Sequence, residues 1–122
     1  MKRAKMTIGN ATIELEVAET SFRQAKGLMF RKFLGINRGM LFVSDTECHY
    51  PIWMFGMRFP IDIIWIDMQM RVVDIAKNAQ PCLLFCRFYT PKKKAKYILE
   101  VNAGFAERRK VKVGSKAILK LR

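Results

Sequence analysis

Two carboxylates stand where carboxylates are costly. Asp62 lies in IDIIWI, residues 61–66, where every other position is apolar. Strand alternation sets it on the same face as Ile64 and Ile66. Glu100 lies in YILEVN, residues 97–102, sharing a face with Ile98 and Asn102. A carboxyl group desolvated in this way must accept hydrogen bonds, pair with a cation, or keep its proton to unusually high pH. Brought together, Asp62 and Glu100 would form the acid–base pair of a small hydrolase or lyase. Held apart, each would serve as an acceptor for backbone N–H groups or as a partner for Arg31 or Arg58. Arg58 would equally grip an anionic ligand with its forked guanidinium. Asn102 fits a ligand contact or, more simply, the N-cap of a helix over Ala103–Arg109.

The segment between these candidates is crowded with large apolar groups. Trp53, Met54, Phe55, Met57 and Phe59 fall within seven residues, too many for one short strand to bury. They either fill the core around a bend or line an apolar pocket or partner surface. A pocket near Trp53, Arg58, Asp62 and Glu100, with Arg31, Met54 and Asn102 at its margins, is the candidate ligand site. Its occupant would be a small polar or anionic molecule or a segment of a partner protein.

Other chemistries fit less well. Cys82 and Cys86, with Cys48 or His49, suggest a zinc site, but they do not form two tight ligand pairs, and adjacent Cys48 and His49 diverge on an extended chain. No metal is expected. An odd count of three cysteines gives no disulfide framework, so reduced thiols and a cytoplasmic location are expected, a local Cys82–Cys86 bridge forming only on oxidation. The single histidine, without a G-x-S-x-G elbow, a phosphate-binding glycine loop or a dinucleotide fingerprint, argues against Ser-His-Asp hydrolysis and nucleotide chemistry. No cofactor is expected, and a non-catalytic role is favoured.

The elements that must position these groups follow from patterning. The chain has 122 residues, 51% of them hydrophobic, enough for one domain over residues 1–122 with a core of its own. Strands are expected at 4–8 and 11–17, turning at Gly9-Asn10. Ser21 and Gln24 suggest a capping box for a short helix using Phe22, Ala25 and Leu28 or Met29. Gly39–Val43 should be a strand, 44–51 a polar loop, and Ile61–Ile66 a strand covered on both faces, entered at Pro60. A turn at 67–70 leads to Val72–Ala76; after a long connection, Tyr97–Val101 is a strand, and 111–113 with 117–121 a closing hairpin. About seven short strands and two short helices give a mainly β (α+β) class, a partly open antiparallel barrel or two packed sheets. No run approaches the length of a membrane span, and the basic start lacks the apolar stretch of a leader.

Charge is uneven. Lys and Arg number 23 against ten Asp and Glu, a net +13. Clusters at Lys92, Lys93, Lys94 and Lys96, and at Arg108, Arg109 and Lys110, would attract phosphate backbones in a salt-dependent way. Nucleic-acid association through the basic C-terminal third is therefore the alternative to ligand binding. The plainer reading is a solvated surface.

Several motifs in order carry a resemblance: GLMFR (27–31), GMLFV (39–43), Trp53-Met54, PIDIIWID (60–67), and YILEVNAG (97–104) followed by KVG (112–114). From about residue 12 onward the chain resembles the domain of unknown function 192 family, also called uncharacterised protein family 0127. The resemblance implies a compact β-rich domain and no agreed activity. Many members resemble exported or membrane-anchored proteins, a location that this chain's start does not suggest. The family typically places a Lys-Asn-Thr-like triplet after the Trp-Met pair, where this chain has Phe55-Gly56-Met57; a polar site there would be altered or lost.

Overall fold

The computed structural model describes residues 2–19 and 26–121. Nine strands and one short helix occur among them: β1 Lys2–Ile8, β2 Ala11–Ala18, β3 Arg38–Cys48, β4 Ile52–Trp53, β5 Ile61–Ile66, β6 Val72–Ala79, β7 Phe88–Tyr89, β8 Ala95–Asn102, α1 Phe105–Arg108 and β9 Ala117–Leu121. The main sheet has seven strands in the order β6-β5-β8-β3-β2-β1-β9, and β4 and β7 form a separate two-stranded ribbon. Within the main sheet β2 and β3 are parallel and the other neighbours antiparallel.

Local chemistry explains the turns. Gly9 adopts φ 58°, the left-handed geometry a tight hairpin needs, and Asn10 N–H donates to Arg109 O at 2.9 Å. At 67–70, Asp67 Oδ1 accepts from Gln69 N–H at 2.9 Å and Arg71 N–H at 3.0 Å, an Asx turn that reverses the chain from β5 into β6.

The sheet curls until its edge strands approach at one end. There Arg71 bridges Lys116, while Val72 N–H donates to Ser115 O and Ala117 N–H to Met70 O. No longer β6–β9 ladder forms among the described residues, so the barrel stays open. The inner face gathers residues from across the sheet, including Met6, Ile13, Leu41, Ile64, Val72, Leu99 and Val101, closed over by Phe105, Ala106 and Val111. A second core lies on the other face of β3, β8 and β5, where Met40, Phe42, Ile98, Ile61, Ile63 and Trp65 meet Leu28, Leu34, Ile52, Met54 and Met57 from the connecting segments. Burial of β5 at all six positions follows from its place between these two cores.

Several expectations need correction. The polar segment 44–51 is largely the second half of β3, which continues to Cys48. Residues 111–113 are not a strand; β9 pairs with β1, Met6 opposite Leu119, because the curl brings the last strand to the first. Among the described residues there is one helix rather than two, and most of the helix expected from Ser21 lies outside them. That remaining helix is shorter than expected because β8 runs on through Asn102, which pairs with Ile61.

Candidate functional site

The two carboxylates lie on opposite faces of the sheet. In the β5–β8 register, Asp62 faces Val101 and Ile63 faces Glu100, and cross-strand partners share a face. Asp62 thus points into the inner core and Glu100 into the outer one. The acid–base pair envisaged from sequence is absent, because one residue of register decides the face.

Asp62 is fully committed within the fold. Its Oδ1 accepts from Asn78 N–H at 2.9 Å and Gly104 N–H at 3.3 Å, and its Oδ2 from Ala106 N–H at 2.9 Å. The carboxylate caps α1 from a neighbouring strand, where the N-cap residue Gly104, at φ 89°, has no side chain to do so. Asn102, expected as that cap, instead donates from Nδ2 to Leu34 O at 2.8 Å and fastens the 34–35 segment over β8.

Glu100 differs. It is 5% exposed and makes no hydrogen bond or ion pair with another described residue. Burial, uncompensated by any cation, raises its carboxyl from the ordinary 4.5 to about 8. The group therefore keeps its proton, and with it an O–H to donate, to a higher pH than an ordinary carboxyl. It borders a cavity of about 160 Å³ whose other walls include Phe42, Tyr50, Trp53, Met54 and Met57, with the exposed Lys26 and Phe88 at the mouth.

Three segments build these walls, and each is fixed by a specific contact. Trp65 on β5 donates from Nε1 to Tyr50 O at 3.1 Å, holding the start of the 50–59 segment against the sheet. Met54 O accepts from both Met57 N–H and Cys82 N–H at 3.2 Å. Gly56 takes φ 74°, its N–H donates to Cys82 O, and its carbonyl accepts from Phe30 N–H. A Cβ at Gly56 would overlap Met29 Cγ. Phe55-Gly56-Met57 is therefore the knot tying residues 28–30, 54–57 and 82 together, and its apolar side chains leave the cavity wall apolar.

The remaining candidates disperse. Trp53 stacks on Phe88 with ring centroids 5.5 Å apart at the cavity rim. Arg31 forms a two-pronged pair with Glu16, which holds that carboxylate below its ordinary range, so it is not a ligand grip. Arg58 is exposed and does not border the cavity. Of the expected site, Trp53, Met54 and Glu100 come together; Arg31, Arg58, Asp62 and Asn102 do not. Phe42, Tyr50 and Phe88 were missed: Phe42 was legible by alternation with Met40, whereas nothing local to Phe88 signals its return to Trp53.

Cys82 and Cys86 are joined in a disulfide, and Cys48 is free. The zinc reading thereby loses two of its donors, and no group of three or more His, Cys, Asp or Glu able to hold a metal occurs among the described residues. The expectation of reduced thiols is not met, which removes the cysteine argument for a cytoplasmic location. The basic clusters come from two different segments. Lys92–Lys94 precede β8 and Arg108–Lys110 follow it, at the end of α1, and Lys92 N–H is tied to Asp74 Oδ2 at 2.8 Å. Lys96 donates to Ser44 O at 2.8 Å, and Arg109 to Asn37 Oδ1. The alternative of a nucleic-acid surface gains no support from this arrangement. No helix among the described residues is long and apolar enough to cross a membrane.

An open, curled β-sheet with a second core on its outer face defines the class of this protein. The chain belongs to the family described as Uncharacterized ACR, COG1430, domain of unknown function 192, whose model matches residues 4–119. It is 37% identical over 103 residues to a UPF0127 protein of Thermococcus kodakarensis, covering 83% of this chain but 61% of that one. The chain thus spans about three-fifths of that relative's length. A solved protein of unknown function from Novosphingobium aromaticivorans matches with a TM-score of 0.83 at 34% identity, covering 95% of this chain and 83% of that one. A Sinorhizobium meliloti protein, provisionally described as a transcription regulator, has a TM-score of 0.83 at 24% identity, covering 96% of this chain and 92% of that one. At that identity the likeness is one of fold alone.

Proposed function

We propose that this protein is a binding module whose ligand is a small, largely apolar molecule carrying a hydrogen-bond acceptor, held in the outer-core cavity against Glu100. The observation that carries this reading is the Glu100 carboxyl group, which opens on a largely apolar cavity and has no hydrogen-bond partner among the described residues. A ligand acceptor would take the place that water otherwise fills. The anionic ligand envisaged from sequence suits this cavity poorly, since Arg58 stands outside it. At about 160 Å³ the space is of the size that admits a benzene-sized guest. With Asp62 engaged by three backbone N–H groups, the second member of an acid–base pair is missing, which favours binding over catalysis.

The test is ligand-observed NMR with matched benzene-sized probes, a hydrocarbon against a ketone or amide of the same shape. The ketone or amide should bind better near pH 6 and lose that advantage near pH 10, where Glu100 is ionised. Glu100→Leu should remove the preference altogether. Equal binding of both probes at every pH would refute a ligand role for Glu100.

A further inference from the structure

The segments tied to the cavity wall carry large exposed apolar side chains. The disulfide-closed loop from Cys82 to Cys86 carries Leu83, Leu84 and Phe85 at 76%, 73% and 95% exposure. Phe85 sits at the tip with φ 57°, a conformation uncommon for a bulky residue. Next to it in the chain, the β4–β7 ribbon holds the exposed pair Trp53 and Phe88. Exposed Phe30 adjoins both through the Phe30–Gly56–Cys82 chain of backbone hydrogen bonds. Six large apolar side chains contributed by three segments are more than the scattered exposure that needs no explanation.

The charge on these segments is one-sided. Residues 26–36, 50–60 and 80–90 contain Lys26, Arg31, Lys32, Arg58 and Arg87 and not one Asp or Glu. Arg31 is engaged by Glu16, and Lys92–Lys94 follow directly. A second copy of the chain would bring the same positive face against itself. Exposed apolar groups on segments whose only charged residues are cations match a different partner, the headgroup region of an anionic bilayer.

We infer that this face docks peripherally on anionic lipid surfaces, with Leu83, Leu84 and Phe85 entering the interface and Trp53 and Phe88 lying at headgroup depth. This goes beyond the cavity reading and stands or falls separately from it. The loop is preorganised by its disulfide, so its apolar tip is presented without an ordering cost at contact.

Flotation of the full chain with phosphatidylcholine vesicles, with and without phosphatidylglycerol, tests the inference. Binding is expected to the vesicles containing phosphatidylglycerol, with a blue shift in tryptophan emission. That shift reports Trp53, since Trp65 is already buried. Leu84→Ser and Phe85→Ser should each weaken partitioning about tenfold or more while leaving thermal unfolding unchanged, because both positions are exposed. Absence of binding to these vesicles would overturn the inference. So would binding that both serine variants retain and salt abolishes, which would mean general attraction by the net positive charge. If the chain instead self-associates through this loop and ignores vesicles, the partner is a second copy and the inference is wrong.

Discussion

Replacing Glu100 by glutamine should alter how stability depends on pH, and the size of the change follows from burial. In the unfolded chain this carboxyl titrates near 4.5, and in the folded protein near 8. The folded state therefore holds the proton more tightly. Below about pH 4.5 both states are protonated and the group costs nothing through ionisation; as pH rises toward 8, unfolding releases a proton and stability falls. Above about 8 both states are ionised and the loss is complete. At about 1.4 kcal/mol per unit of pKa difference, the full loss is about 5 kcal/mol. That is an upper figure, because the adjoining cavity lets water reach the ionised group. Such a loss is a large share of the total stability of a small protein. Denaturant unfolding at a series of pH values would measure it. Glu100→Gln should remain within about 1 kcal/mol of the parent near pH 5 and exceed it by roughly 3–5 kcal/mol near pH 9. A parent whose stability is level from pH 5 to 9, or a glutamine variant that keeps the parent's slope in this range, would refute the reasoning.

Asp62→Asn leaves one acceptor oxygen for three backbone donors, and should destabilise by about 2–4 kcal/mol in denaturant unfolding. Gly56→Ala combines a left-handed backbone with an overlap on Met29; a loss of about 2 kcal/mol or more is expected, with weaker binding of any cavity probe by NMR titration. Cys82→Ser with Cys86→Ser opens a five-residue loop, which loop-closure entropy values at about 2 kcal/mol; comparing the melting of oxidised parent and double variant checks this. The Glu16–Arg31 pair acts with the opposite sign to Glu100. Its carboxylate is held below 4.5, so its stabilisation is present above about pH 4.5 and fades as acid protonates Glu16. Arg31→Met should flatten the acid limb of the curve without moving the limb between pH 5 and 8.

Alternation along single strands was legible, and it correctly grouped Asp62 with Ile64 and Ile66 and Glu100 with Ile98. What alternation cannot supply is the register between strands, which is fixed by long-range packing. Only the pairing of Ile63 with Glu100 sends the two carboxylates to opposite sides. The turns at Gly9-Asn10 and Asp67 were readable because their chemistry is local. The reach of β3 to Cys48 was not, since its polar second half is held by β8 and not by its own apolar pattern. The crowd of Trp53, Met54, Phe55 and Met57 marked the cavity wall; its return partner at Phe88 depends on a ribbon between segments 35 residues apart, as in Trp53 opposite Phe88.

The placement of β9 beside β1 has a consequence for synthesis. Lys2–Ile8 finds its β2 partner across a two-residue turn, whereas the neighbour of its other edge, Ala117–Leu121, is made only much later. Until Ala117–Leu121 is made, that edge is a row of unpaired N–H and C=O groups open to any other strand. Lys2, Arg3 and Lys5 punctuate it, alternating with the inward Ala4 and Met6. Charged side chains, lysine above all, are what natural edge strands use to repel unwanted pairing. The basic residues of β1 thus guard a strand whose other neighbour is made much later.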